Sequence, residues 1–193
     1  MKRYEGYQPV KSTHREILPP GGYVVKIMKV EDAAFANGPC LVVSFDIAEG
    51  EKAGFYTADY RGNTFENKKW RGVHFLNRPA GDGSERDGWA VHAMNNFVAV
   101  LQESNPGYTW DWGPIEAGDY SQLKGKLLGA LMGRVEWEYE GKTGWNTKCR
   151  AFLPAQDIRA GDFQIPEDKP LSKKTSAQPV DIAGFDSDND LPF

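Results

Sequence analysis

One stretch of this chain, from about Asp87 to Gln102, spaces its apolar residues for a helix, while the segments on both sides of it carry strand patterns. Ala90, Met94, Phe97 and Leu101 fall at helical spacing, Val91 and Val98 widen the stripe, and Asn95, Gln102 and Glu103 take the other side. Asp87 is the expected N-cap, and Asn105-Pro106-Gly107 ends the helix. Upstream, Tyr23 to Val30 follows the breaker Pro19-Pro20-Gly21-Gly22. Asn37-Gly38, followed by Pro39, turns it into Leu41 to Ile47, where Leu41, Val43, Phe45 and Ile47 alternate as the buried face of a hairpin. A third β region is expected through Gly54 to Tyr60 and, after the polar stretch Arg61 to Asn67, through Lys68 to Phe75. Downstream, Tyr108 to Trp112 reads as a loop, and Gly125 to Gly133 leads into the alternating strand Arg134 to Tyr139. Gly141-Lys142-Thr143-Gly144 turns the chain back into a last strand, Trp145 to Leu153.

The order β, β, β, helix, β, β predicts a mainly β chain: a five-stranded OB-fold barrel, small, partly open and Greek-key, with one helix between strands 3 and 4. Composition agrees, because 21 Gly and 12 Pro among 193 residues favour turns and short strands, and 40% hydrophobic residues suffice for one core. Residues 1–165 are the expected domain. Beyond them Pro166, Pro170 and Pro179 punctuate a Lys/Ser/Thr/Ala/Gln stretch with little to bury, so 166–184 is expected as a disordered linker before a tip at 185–193. The absence of a signal-peptide core or long apolar run predicts a cytoplasmic protein without a membrane partner.

Catalysis finds no support in the residues. Cys40 and Cys149 are far apart and read as buried reduced thiols. His14, His74 and His92 have no partners at metal-ligand spacing, and no phosphate-binding or nucleophile motif occurs. Glu136, Glu138 and Glu140 share a strand face but read as a solvated edge rather than a nuclease metal site. No cofactor, metal or catalytic residue is therefore expected.

Binding chemistry is better supplied. Coating a single nucleic-acid strand takes aromatic rings for base stacking, at about 1–3 kcal/mol per base, beside cations for phosphates. Lys68, Lys69 and Arg71 surround Trp70, with Tyr56 and Tyr60 on one face of the segment before it. In the last strand Lys148, Arg150 and Phe152 alternate onto one face, expected to meet solvent, with Cys149, Ala151 and Leu153 on the other. Lys142 and Trp145 fall in or beside the loop between strands 4 and 5, where OB-folds bind. Trp137 and Tyr139 share a face with Val135 and are expected in the core, as are Trp89 and Phe97; for Trp70 and Trp145 charged neighbours leave the ring's position open.

The formal net charge is −4, and the last thirteen residues, with Asp181, Asp186, Asp188 and Asp190 and no base, account for it. Asp186, Asp188 and Asp190 precede Leu191-Pro192-Phe193, placing charge beside an aromatic anchor that suits a basic-rimmed apolar socket on a partner. This ending, DSDNDLPF, closely resembles the acidic tip of bacterial single-stranded DNA-binding proteins. LPPGGYVVKI, LVVSFDI and GKTGWNTK, the last near Phe152-Leu153-Pro154, resemble a bacteriophage family of single-stranded DNA-binding proteins. The resemblance implies a protein that binds single-stranded DNA and recruits replication, recombination or repair proteins through its tip, as a dimer or tetramer, in the host cytoplasm if phage-encoded. An OB-like protein-interaction module and a strand-annealing recombination protein are the alternative expectations.

Overall fold

Five strands form in the computed structural model, which describes residues 16–35 and 38–171. They are β1 (Gly21–Phe35), β2 (Gly38–Ile47), β3 (Val73–Asn77), β4 (Leu127–Tyr139) and β5 (Lys142–Leu153). All pair antiparallel in one sheet, in the order β3-β2-β1-β4-β5. Leu41, Val43, Phe45 and Ile47 are buried as the alternation requires. In β1 the register slips between Ile27 and Lys29, so the extra residue Met28 shifts the parity and both Ile27 and Val30 point inward.

The long helix α2 (Glu85–Ser104) lies against the inner face. It buries Ala90, Met94, Phe97 and Leu101, and the Phe97 ring sits 5.7 Å from Phe152 and 6.2 Å from Trp110. Met94, Phe97 and Leu101 each contribute roughly 1.5–3 kcal/mol of transfer free energy. Its cap is Ser84, whose hydroxyl accepts from the Asp87 amide; buried Asp87 instead closes the preceding turn by accepting from the Ala80 (2.5 Å) and Gly81 (3.1 Å) amides. The helix thus starts two residues before the expected Asp87. Trp89, expected in the core, is 67% exposed, since it falls beside the buried row 87, 90, 94, 97, 101. Tyr139 is likewise exposed, because the core face of β4 is Leu128, Ala130 and Met132, and Val135, Trp137 and Tyr139 fall on the alternate, outward face.

One further expectation fails. The segment expected as the start of strand 3 is a helix, α1 (Phe55–Gly62), leaving β3 only Val73–Asn77. Tyr56 and Tyr60 are four apart, a spacing that suits one helix face as well as one strand face. What decides is Asp46, a buried carboxylate on β2 that accepts from the Tyr56 (2.9 Å) and Thr57 (3.1 Å) amides and caps the helix from the preceding strand. Among the described residues the sheet is not closed by a backbone ladder. Its edges β3 and β5 meet through a side chain, His74 Nδ1 donating to the Cys149 carbonyl at 3.2 Å.

The short helices α3 (Trp112–Glu116) and α4 (Ala155–Ala160), with a 3-10 turn at Ser121–Leu123, complete the body. Residues 166–171, expected to begin the linker, run along the free edge of β4. Lys169 donates to the Arg134 carbonyl and accepts from the Glu136 amide, each at 2.9 Å, and Asp168 pairs with Arg134 at 2.5 Å. Among the described residues no helix is long and apolar enough to cross a membrane.

Candidate nucleic-acid interface

The aromatic and cationic residues singled out from the sequence fall into two groups. The first surrounds the connection from α1 to β3. Gly72 lets this connection reach β2, since its carbonyl accepts from the Phe45 amide (2.8 Å) and a Cβ there would overlap the Phe45 carbonyl oxygen. Trp70 is half-buried, and its indole N–H is spent on the Phe45 and Gly72 carbonyls, both at 3.1 Å. Tyr60 packs 5.8 Å from Trp70 and carries the Lys68 ammonium over its face at 4.7 Å. That pair presents ring area next to cations, with Lys69 exposed beside it.

Tyr56 and Arg71 do not serve as expected. Tyr56 is buried, its ring 5.8 Å from Phe45, and desolvation drives its hydroxyl pKa far above the ordinary tyrosine value. Arg71 is held in a two-point pair by Asp59, Nε at 2.8 Å and Nη2 at 2.6 Å, so its charge is already neutralised.

The second group lies on β5, where one backbone irregularity changes the expected face. Leu131 pairs with Ala151 but Met132 pairs with Cys149, which makes Arg150 an extra, bulged residue. Cys149 and Phe152 therefore both point into the core, and Phe152 is only 5% exposed. Phe152 packs on Phe45, His74 and Phe97 and cannot stack on a base. Lys148 and Arg150 are exposed, as expected. Desolvation, and then the neighbouring Lys169 and Arg150 charges, hold the Lys148 ammonium below the ordinary lysine value, so these three cations share one patch. Further out, Lys142 is exposed and half-buried Trp145 has the Arg134 guanidinium over its ring at 5.7 Å. Trp137, expected in the core, is only half-buried: it shares the outward face with Lys142 and Lys148, opposite Trp145, and lies against Gly144, where a Cβ would sit 2.7 Å from the indole.

Two further outward rings were missed by sequence reasoning. β3 alternates: His74 and Leu76 face inward, Val73 and Phe75 outward, and Phe75 meets Phe35 of β1 edge-on at 5.6 Å. Phe35 is 41% exposed. Because His74 bonds to Cys149, outward-facing Phe75 and the outward-facing cations of β5 flank the same joint. Phe75 had been read into the tail of a longer strand; the alternation Val73-His74-Phe75-Leu76 was the available signal.

Among the described residues no three His, Cys, Asp or Glu side chains are grouped to hold a metal. Glu136 accepts from the Leu171 amide at 3.0 Å. Asp186, Asp188, Asp190, Leu191, Pro192 and Phe193 lie outside the described residues. No protein-family model matches the chain, and no curated protein is significantly similar to it.

Proposed function

We propose that this chain binds single-stranded DNA by equilibrium stacking and phosphate contact, on an OB-type body that is a partly open barrel. The observation that carries the reading is the joint of β3 and β5, which is flanked by Phe75, backed by Phe35, on β3 and by the exposed Lys148 and Arg150 on β5. Rings and cations within one short span are what a sequence-tolerant strand binder requires. The order β3-β2-β1-β4-β5 with α2 between β3 and β4 supports the OB reading, in which strands 2 and 3 and the loops 1–2 and 4–5 line the groove. The acidic ending supports a second role, recruitment of replication or recombination proteins through Leu191-Pro192-Phe193.

The test is intrinsic tryptophan fluorescence and oligonucleotide anisotropy during titration with oligo-dT at two salt concentrations, with duplex DNA as control. Saturable binding of the single strand, weaker at higher salt, is expected. Replacing Lys148 and Arg150 together by alanine should flatten the dependence of log K on log salt by about 1.4, at ~0.7 per phosphate contact on a single strand. No saturable binding at low salt would remove the function.

A further inference from the structure

Beyond the core, the hairpin of β4 and β5 sorts its side chains by charge. Residues paired across an antiparallel ladder point to the same side, and successive residues alternate. The pairs Gly133–Lys148, Val135–Asn146, Trp137–Gly144 and Tyr139–Lys142 therefore share the outward side. Those positions carry two lysines and two large rings and no carboxylate. Glu136 and Glu138 fall on the other side, with Arg134 and Trp145. Toward the body the outward lysines are continued by Arg150 and Lys169, whose charges act on the Lys148 ammonium.

The two tryptophans of this hairpin differ in what covers them. Trp145 has the Arg134 guanidinium over its ring at 5.7 Å, and Arg134 is itself held by Asp168 at 2.5 Å, so that ring already serves an ion pair. Trp137 lies instead against Gly144, where a Cβ would sit 2.7 Å from Cζ2, 2.8 Å from Cε2 and 3.0 Å from Nε1. The missing side chain lets the indole rest on the backbone of the partner strand. Among the described residues no cation and no second ring stands over it. The ring is half-buried, and what it exposes lies on the side of the lysines, with Lys142 two residues along β5 from Gly144 and Lys148 four residues the other way.

We infer that the bound strand continues from the joint of β3 and β5 along this outward face, with Trp137 stacking on a base and Lys142 and Lys148 meeting phosphates on either side of it. The inference rests on the single-stranded DNA reading. A polyanion with stackable bases is the occupant that suits a face of rings and cations without a carboxylate. Lys148 belongs both to the patch at the joint and to the hairpin, so the two surfaces run together along β5. From Lys148 to Lys142 the track is about 20 Å long, at ~3.4 Å per strand residue. The expectation for the hairpin's rings is thereby reversed: Trp137 meets the DNA and Trp145 does not.

The experiment uses the full chain and the variants Trp137→Ala, Trp137→Phe and Trp145→Phe, and reads oligo-dT anisotropy together with tryptophan quenching. Trp137→Ala should weaken binding by about 5- to 150-fold, the equivalent of ~1–3 kcal/mol per stacked base at 1.4 kcal/mol per tenfold. Trp137→Phe keeps a ring and should lose less affinity than Trp137→Ala, while its quenching amplitude falls. Trp145→Phe should match the unaltered chain in both readouts. The two phenylalanine variants decide between the rings even where Trp137→Ala does not fold. If the unaltered chain binds and Trp137→Ala binds equally well, the inference falls while the proposed function stands. It falls too if Trp137→Phe loses as much affinity as Trp137→Ala, since stacking would not be the cause, or if Trp145→Phe is the variant that loses quenching. If the unaltered chain does not bind at all, the proposed function fails and takes the inference with it.

Discussion

Replacing Asp46 by alanine removes one buried acceptor that four donors share: the amides of Ile47 (2.8 Å), Tyr56 (2.9 Å) and Thr57 (3.1 Å) and the Thr57 hydroxyl (2.5 Å). Ile47 and Tyr56 are buried, so water does not take the place of the carboxylate for them, and each orphaned donor costs about 1–3 kcal/mol. Thr57 is half-buried and recovers part of its loss from solvent. The sum is about 3–5 kcal/mol, larger than the ~1 kcal/mol of an ordinary helix cap because the acceptor also holds β2 to α1. At about 2–4 °C per kcal/mol for a body of this size, the melting temperature should drop by roughly 6–20 °C. Asp46→Asn keeps one carbonyl oxygen and should lose about half as much. The assay is thermal unfolding followed by far-ultraviolet circular dichroism, with Trp70 emission as a local readout, because α1 carries Tyr60 against that indole. A melting temperature lowered by less than about 2 °C in the alanine variant would refute the assignment of Asp46 as the cap of α1.

Other outcomes follow from the same contacts. Phe152→Ala should cost about 3–5 kcal/mol of stability in urea unfolding, as a core truncation does. Phe75→Ala should cost less than that and instead weaken oligo-dT binding by about 1–3 kcal/mol, so equal effects on stability and binding in the two variants would overturn the assignment of faces. Burial holds the His74 imidazole below its ordinary value, although its bond to the Cys149 carbonyl opposes this. The unfolded chain therefore takes up that proton first: stability is intact above the unfolded value of about 6.5 and is lost as pH falls toward and through the folded value. His74→Gln should flatten this part of the stability–pH profile, measured by urea unfolding between pH 7.5 and 5 as an approximate window. Deleting residues 186–193 should raise apparent oligo-dT affinity at low salt by removing acid that competes for the cationic patch; unchanged affinity would show that the tip does not compete.

Strand content was legible where one face is buried without interruption. Leu41, Val43, Phe45 and Ile47 needed only the period of two, and Ala90, Met94, Phe97 and Leu101 only the helical spacing. The failures came from interactions that local pattern does not carry. α1 depends on a carboxylate contributed by another strand, and Phe152 depends on a bulge at Arg150 that reverses the expected alternation. In the candidate interface, the exposure of Lys148 and Arg150 was legible, because charged strand residues flanking buried Cys149 face out. That Asp59 neutralises Arg71, twelve residues away across a turn, was not. Phe75 was missed because a residue in an edge strand shows its role only once the strand's register is known.

The segment 166–171 along β4 also sets where this protein can be shortened. Beyond Met132, β4 has lost β1 as a neighbour, and the segment takes that side by bonding to Arg134 and Glu136. A chain cut at 165 would leave those backbone groups bare on a strand already paired along its other side. Such an edge is a template for a strand from another molecule, and self-association follows from it. A chain ending at Leu171 keeps the edge covered, so the two truncations, six residues apart, should differ in solubility although residues 166–171 contribute no side chain to the core.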